Sequence, residues 1–144
     1  MATTLNPYLH FSGNAEEVFT FYQSVFGGEF MGGITRYKDM PMEGHKDVSE
    51  EDQNKVLHVA LPISNDSVLM GSDVPEYMGK VNQGNNFFIS IHTDSKKEAD
   101  RLFNGLSAGG SVSMPMADAP WGAYFGMFKD KFGVQWMVTY RAES

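Results

Sequence analysis

The chain has 144 residues, no cysteine, and 18 Asp and Glu against 11 Lys and Arg, for a formal net charge of -7. That length suits one domain rather than two independent ones, and a negative field repels nucleic-acid phosphates and anionic lipid. Without cysteine, disulfides, thiol nucleophiles and thiolate metal sites are excluded together, which leaves His, carboxylates, hydroxyls and the backbone to do any chemistry. No apolar run approaches the roughly 20 residues that cross a bilayer, and residues 1–7 lack the basic start and apolar core of a signal peptide, so the expected location is cytoplasmic. Aromatic residues make up 13% of the chain and Gly contributes 15 residues, which points to a β-rich domain with a bulky interior and tight turns.

In chain order, Pro7–Phe11 reads as a short strand, and Ser12, Gly13 and Asn14 as a turn with helix-start residues. Over Ala15–Val25, Val18, Phe21, Tyr22 and Val25 recur at helical spacing, with Glu16 and Glu17 in the favoured first turn; Gly27 and Gly28 stop the helix. Phe30–Tyr37 reads as a second strand. Lys38–Asn54, which includes Glu43, His45 and Asp52, has no apolar period and reads as a mobile, charged surface loop with His45 in solvent. Lys55–Ile63 and Ser67–Met70 form a hairpin about Asn65 and Asp66. After a polar connection, Asn86–Thr93 reads as a strand, Asp94 and Ser95 as a helix start, and Lys96–Ala108 as a helix closed by Gly109 and Gly110. Tyr124–Lys129 and Val134–Tyr140 then make a hairpin about the turn Asp130–Gly133.

A shift of 82 positions superposes His10 on His92, Leu9 on Ile91, Phe21 on Phe103, and Gly27-Gly28 on Gly109-Gly110 without a gap. The order is therefore β-α-β-β-β, twice: an α+β fold in one domain, 1–144, with modules 1–75 and 86–144 joined by 76–85. One such module leaves a sheet face uncovered, so two modules are expected to pack together and enclose a pocket. Alternation places Leu9, Phe11, Ile89 and Ile91 on the helix side, and Tyr8, His10, Phe88, Ser90 and His92 on the concave side. His58, on the less apolar face of its strand, is a third histidine for that space. Three strand histidines invite a metal-site reading, because neutral imidazole is the commonest metal ligand. None lies at close ligand spacing and no carboxylate accompanies them inside a strand, so structural or pocket-lining roles are expected instead. The glycines of Gly27–Gly33 lack the lysine of a phosphate loop, no dinucleotide fingerprint follows a strand, and no hydrolase elbow occurs.

With both repeats in view, the chain resembles the vicinal oxygen chelate superfamily of glyoxalases, bleomycin and fosfomycin resistance proteins and extradiol dioxygenases. It is most similar to the PhnB-like branch, often labelled demethylubiquinone methyltransferase-like. The segments that carry this resemblance are Pro7–Glu17, Phe21-Tyr22, Phe26–Gly28, Tyr37–Pro41, Val56–His58, Leu69–Asp73, Trp121-Gly122, Phe125-Gly126 and Asp130–Trp136. The resemblance implies paired βαβββ modules with helices outside a concave mixed sheet, and a homodimer, with modules exchanged between chains in some members. It also implies, for the metal enzymes of the superfamily, ligands on the first and last strands of each module. Here those positions fall on Pro7 or Tyr8 and on Phe88, and on Met70 and Met137. Thioethers are poor ligands for the hard or borderline ions such enzymes use, so a metal-independent site with no cofactor is expected.

The candidate pocket residues are Tyr8, His10, His58, His92, Trp121, Phe125, Gln135 and Met137, with Trp121 as a lid. Arg36 stands as a ligand-facing cation or, with better expectation, a surface ion pair. The expected function is binding of a small, partly aromatic or amphipathic molecule in the cavity between modules. The competing readings are a metal-dependent or histidine-based lyase or isomerase, and an interaction module that recruits a partner through Glu43–Asn54.

Overall fold

The computed structural model describes residues 3–40 and 48–142. It comprises two compact units, Met1–Asn82 and Gln83–Ser144. The first contains β1 (Tyr8–Phe11), α1 (Ala15–Phe26), β2 (Thr35–Arg36), β3 (Val56–Ser64) and β4 (Ser67–Asp73) in the sheet order β1-β4-β3-β2. The second contains β5 (Ile89–Thr93), α2 (Lys96–Ser107), β6 (Ser111–Asp118), β7 (Tyr124–Lys129) and β8 (Gln135–Tyr140) in the order β5-β8-β7-β6. The first strand of each unit runs parallel to the last, and the remaining pairs are antiparallel. The duplicated β-α-β-β-β order expected from the 82-residue shift is the order observed.

In the first unit α1 buries Ala15, Val18, Phe19 and Tyr22. The stripe expected from spacing ran through Phe21 and Val25, which are only half-buried; Phe19 takes that place. The reason lies in β4. A Cβ on Gly71 would come within 2.7 Å of Phe19 Cε1 and 2.8 Å of the Leu9 carbonyl oxygen, so the bare glycine admits the Phe19 ring against the strand. Phe11 meets that ring edge-on at 6.2 Å, and Val59 and Leu61 are fully buried beside it.

The start of α1 also differs from expectation. Asn14 makes no side-chain cap; Asp73, 58 residues beyond Ala15 at the end of β4, does the work instead. Its Oδ1 accepts from the backbone N–H groups of Gly13 and Ala15, both at 2.9 Å, and its Oδ2 from that of Val56 at 2.9 Å. One buried carboxylate thus joins the α1 entry, β3 and β4. In α2 the local signal suffices, and Ser95 accepts from the Glu98 N–H at 3.0 Å.

The expected strand Phe30–Tyr37 shrinks to Thr35–Arg36. Gly32 and Gly33 take φ of +70° and +73°, which turns the chain, and Tyr37–Asp39 coils into a 3-10 turn. Of the charged loop, the stretch with Glu43 and His45 lies outside the described residues. Asp52, expected in solvent with that loop, is buried: its Oδ1 pairs with Lys55 Nζ at 2.6 Å and its Oδ2 accepts from the Glu76 N–H at 2.9 Å. The Lys55 hydrogen bond holds the Asp52 carboxyl below its ordinary range.

In the second unit α2 buries Ala99, Leu102, Phe103 and Leu106. These cover Trp136, Val138 and Phe128, with Phe103 edge-on to Phe128 at 5.1 Å. The turn Asp130–Gly133 is tied by Asp130, whose Oδ1 accepts from the N–H groups of Phe132 and Val134 and whose Oδ2 accepts from Trp136 Nε1 at 2.9 Å.

Candidate functional site

The helix covers one side of each sheet, so chemistry outside the core falls on the other side, and strand register decides which residues meet there. In the first unit Tyr8 is opposite Met70 and His10 opposite Ser72. Met70 is in turn opposite Ala60, while Leu9, Gly71 and Val59 form the row that faces the helix. Tyr8 therefore sits on β1 and His58 on β3, with β4 between them. The Tyr8 hydroxyl spans that distance to hydrogen-bond His58 Nδ1 at 3.1 Å, and the two rings stack at 5.7 Å between centroids. His10 meets the Tyr8 ring edge-on at 5.6 Å. Beneath this bridge Ser72 is only 7% exposed, and among the described residues its hydroxyl has no hydrogen-bond partner.

The second unit uses equivalent positions differently. Ser90 faces Met137, which faces Met127. His92 faces Thr139, which faces Phe125, which faces Ala117. Matching the helix-side rows Leu9–Gly71–Val59 and Ile91–Val138–Gly126 makes His58 correspond to Phe125, Tyr8 to Ser90 and Ala60 to Met127. The open face is thus hydrogen-bonding in the first unit and aromatic and thioether-rich in the second. Trp121 lies 5.1 Å from Phe125 between ring centroids and is 58% exposed, whereas Phe125 is buried. The Trp121 loop is held by Arg141, whose Nη2 donates to the Trp121 carbonyl at 2.8 Å, and Gly122 supplies the φ of +92° that turns it.

Of the residues expected to line a pocket, Tyr8, His10 and His58 are brought together within the first unit. His92, Phe125, Met137 and Trp121 belong to the open side of the second. Gln135 is half-buried, and its side-chain amide is engaged in donating to the Phe87 carbonyl at 2.7 Å, a tether at the entry to β5. Arg36 forms a surface ion pair with Glu16 at 3.0 Å and donates to the Asn54 carbonyl. Ser72 was missed in the sequence because a serine in a strand carries no signal of its own; its register with His10 reveals it.

The superfamily's metal positions do not suit a metal here. Register opposes Met70 to Tyr8 and Met137 to Ser90, while Phe88 precedes β5 rather than facing Met137. A thioether beside a phenol or a hydroxyl is a poor set for a hard divalent ion. Among the described residues no three His, Asp or Glu side chains form a metal-holding group, and no helix is long and apolar enough to cross a membrane. A separate surface pocket of about 260 Å³ is lined by Ser49, Asp52, Glu76 and Tyr77, but its buried Asp52 carboxylate is already engaged.

Tyr37 donates its hydroxyl to the Asp73 carbonyl at 2.9 Å. Burial first, and then the neighbouring Tyr77 and Tyr8, push its phenol up from 10 to about 12. A raised folded value means that this group's contribution to stability is fully present below pH about 10 and fades as pH rises towards about 12. Ultraviolet titration should accordingly lose its phenol near pH 12 in Tyr37→Phe, while Tyr124, raised by its hydrogen bond to Asp100, still titrates late.

Comparison with known proteins places this geometry. The family profile for 3-demethylubiquinone-9 3-methyltransferase matches residues 3–139. Protein PA1353 from Pseudomonas aeruginosa superposes with a TM-score of 0.84 at 36% identity, over 99% of this chain and 100% of that one. A PhnB protein from Bacillus cereus gives 0.68 at 26% identity, over 96% and 99%. A glyoxalase/bleomycin resistance protein/dioxygenase family enzyme from Burkholderia phytofirmans gives 0.63 at 15% identity, over 94% and 97%, a likeness of fold alone. Two βαβββ units in this order, matched along nearly the whole length, mean that the chain belongs to the PhnB-like family described as 3-demethylubiquinone-9 3-methyltransferase, with the vicinal oxygen chelate fold.

Proposed function

We propose that this protein is a metal-independent binder of a small, partly aromatic or amphipathic molecule, seated on the face of the second unit's sheet turned away from α2. The observation that carries the reading is Trp121, 58% exposed yet tilted against the buried Phe125 with 5.1 Å between ring centroids. Leaving an indole in water forgoes about 1.5–3 kcal/mol of burial, and Arg141 and Gly122 hold it there. The adjoining Met127 and Met137 are unbranched and polarizable, and they adapt to ligand shape. The methyl transfer in the family's description is not part of this reading, since the sequence carries no cofactor-binding motif for it. The likeness to PhnB-like proteins supports a homodimer, and the acidic, cysteine-free composition supports a cytoplasmic location.

The chain has two tryptophans, and Trp136 is buried at 1% exposure, so emission from the exposed one reports on this face. With 8-anilinonaphthalene-1-sulfonate as an amphipathic probe, saturable binding with quenching of Trp121 is expected, weakened in Trp121→Ala by on the order of 30-fold. Equal binding by that variant would overturn the reading. Stoichiometric zinc, nickel, manganese or iron in protein purified without chelator would instead favour the metal-dependent lyase or isomerase.

A further inference from the structure

We infer that the open face of the first unit is an oxyanion-recognition site, built from Ser72, His58, His10 and Tyr8, that takes the carboxylate of a small organic acid. The inference rests on the binding role proposed above and adds a second binding face, within the first unit. Its starting point is Ser72: a residue only 7% exposed, its hydroxyl without a protein partner among the described residues, in register with His10 and on the side of β4 away from α1. A buried hydroxyl left unpaired costs free energy, so native folds rarely retain one unless something outside the chain satisfies it.

The neighbours determine what that something is. A phenol is a better donor than an imidazole N–H, and an imidazole nitrogen a better acceptor than a phenol oxygen. The proton of the 3.1 Å contact therefore sits on Tyr8, and His58 Nδ1 accepts it. A neutral His58 in that tautomer carries its own proton on Nε2, which becomes a donor held in place by the stacked Tyr8 ring. The Ser72 hydroxyl and the His58 Nε2–H are then two donors on one face, with the His10 imidazole beside them against the same ring. The adjoining carboxylate, Asp73, points away and is filled by the N–H groups of Gly13, Ala15 and Val56, so it does not repel an anion here. Two donors beside a further imidazole suit a carboxylate, which accepts at both oxygens. The equivalent face of the second unit keeps His92 and Thr139 at the places of His10 and Ser72, but has Phe125 in place of His58 and Ser90 in place of Tyr8, so the hydrogen-bonded Tyr8–His58 pair belongs to the first unit.

Benzoate is the probe and benzyl alcohol the neutral control. With only four histidines in the chain, the imidazole ring signals of ¹⁵N-labelled protein can be assigned from His10→Gln and His58→Gln. Benzoate should shift the His58 and His10 ring signals saturably and benzyl alcohol should not. Ser72→Ala, a change that fits the strand, should weaken benzoate on the order of tenfold. Tyr8→Phe, which removes the hydrogen bond and keeps the ring, should alter the His58 signals without benzoate and weaken benzoate as well. Unmoved His10 and His58 signals, equal shifts with benzyl alcohol, or undiminished binding by Ser72→Ala would each overturn the assignment. If Trp121 responds to the fluorescent probe while the histidines ignore benzoate, the binding role stands and the carboxylate site falls; silence in both removes both.

Discussion

Asp73→Ala should lower the stability of the folded chain by about 3–5 kcal/mol, read as a shift in the midpoint of urea unfolding at unchanged slope. The carboxylate is 2% exposed and accepts three backbone N–H groups, at Gly13, Ala15 and Val56. Truncation leaves the Ala15 and Val56 donors buried without an acceptor, at about 1–3 kcal/mol each, while the exposed Gly13 N–H recovers water. A domain of this size has only about 5–15 kcal/mol in total, so the variant should verge on unfolding at room temperature. Asp73→Asn is nearly isosteric but keeps one acceptor oxygen, and should fall between the two. If Asp73→Ala unfolds at the wild-type midpoint, the triple acceptance is not what joins α1 to the sheet.

Asp130→Ala is the corresponding change in the second unit, with an expected loss of about 2–4 kcal/mol. It removes the acceptor for the Phe132 and Val134 N–H groups that shape the β7–β8 turn, and for the indole N–H of Trp136, which is 1% exposed. The turn donors can recover water; the buried indole cannot, and most of the cost falls there. In a Trp121→Phe background, emission comes from Trp136 alone, so its unfolding transition should move to lower urea in step with circular dichroism. An unchanged transition would mean that the buried indole N–H is satisfied without Asp130.

Both carboxylates lie in segments that had drawn attention in the sequence, Leu69–Asp73 and Asp130–Trp136, yet their roles were not legible there. Asp130 read as a turn residue, which it is, but its bond to Trp136 depends on the hairpin closing. Asp73 lay beyond the strand read over Ser67–Met70, and Asn14 stood as the helix-start residue for α1 because capping signals are sought locally. The cap came from 58 residues away. Asp52 shows the same limit from the other side: a charged residue in a charged run read as solvated, and only its partners Lys55 and Glu76 make burial tolerable. The candidate site was partly legible. Alternation placed Tyr8 and His10 opposite the helix, and His58 on the same side, but Ser72 was invisible and the Tyr8–His58 bond unforeseen.

What the amino-acid sequence determined by itself was the order and kind of elements. Periods of two and 3.6, glycine stops and the 82-residue repeat are local or internally repeated signals, and they suffice for two βαβββ modules. What only the tertiary structure decided was which residues share a face and which carry the load. Phe19 replaced Phe21 in the core because Gly71 leaves room for it on another strand, and Ser72 gained meaning because β1 lies beside β4 in a parallel register. These depend on contacts between segments some 50 to 60 residues apart, whose pairing no local pattern encodes. The same register that buries one face of each sheet selects, on the other, His58 bonded to Tyr8 in the first unit and Phe125 beneath Trp121 in the second.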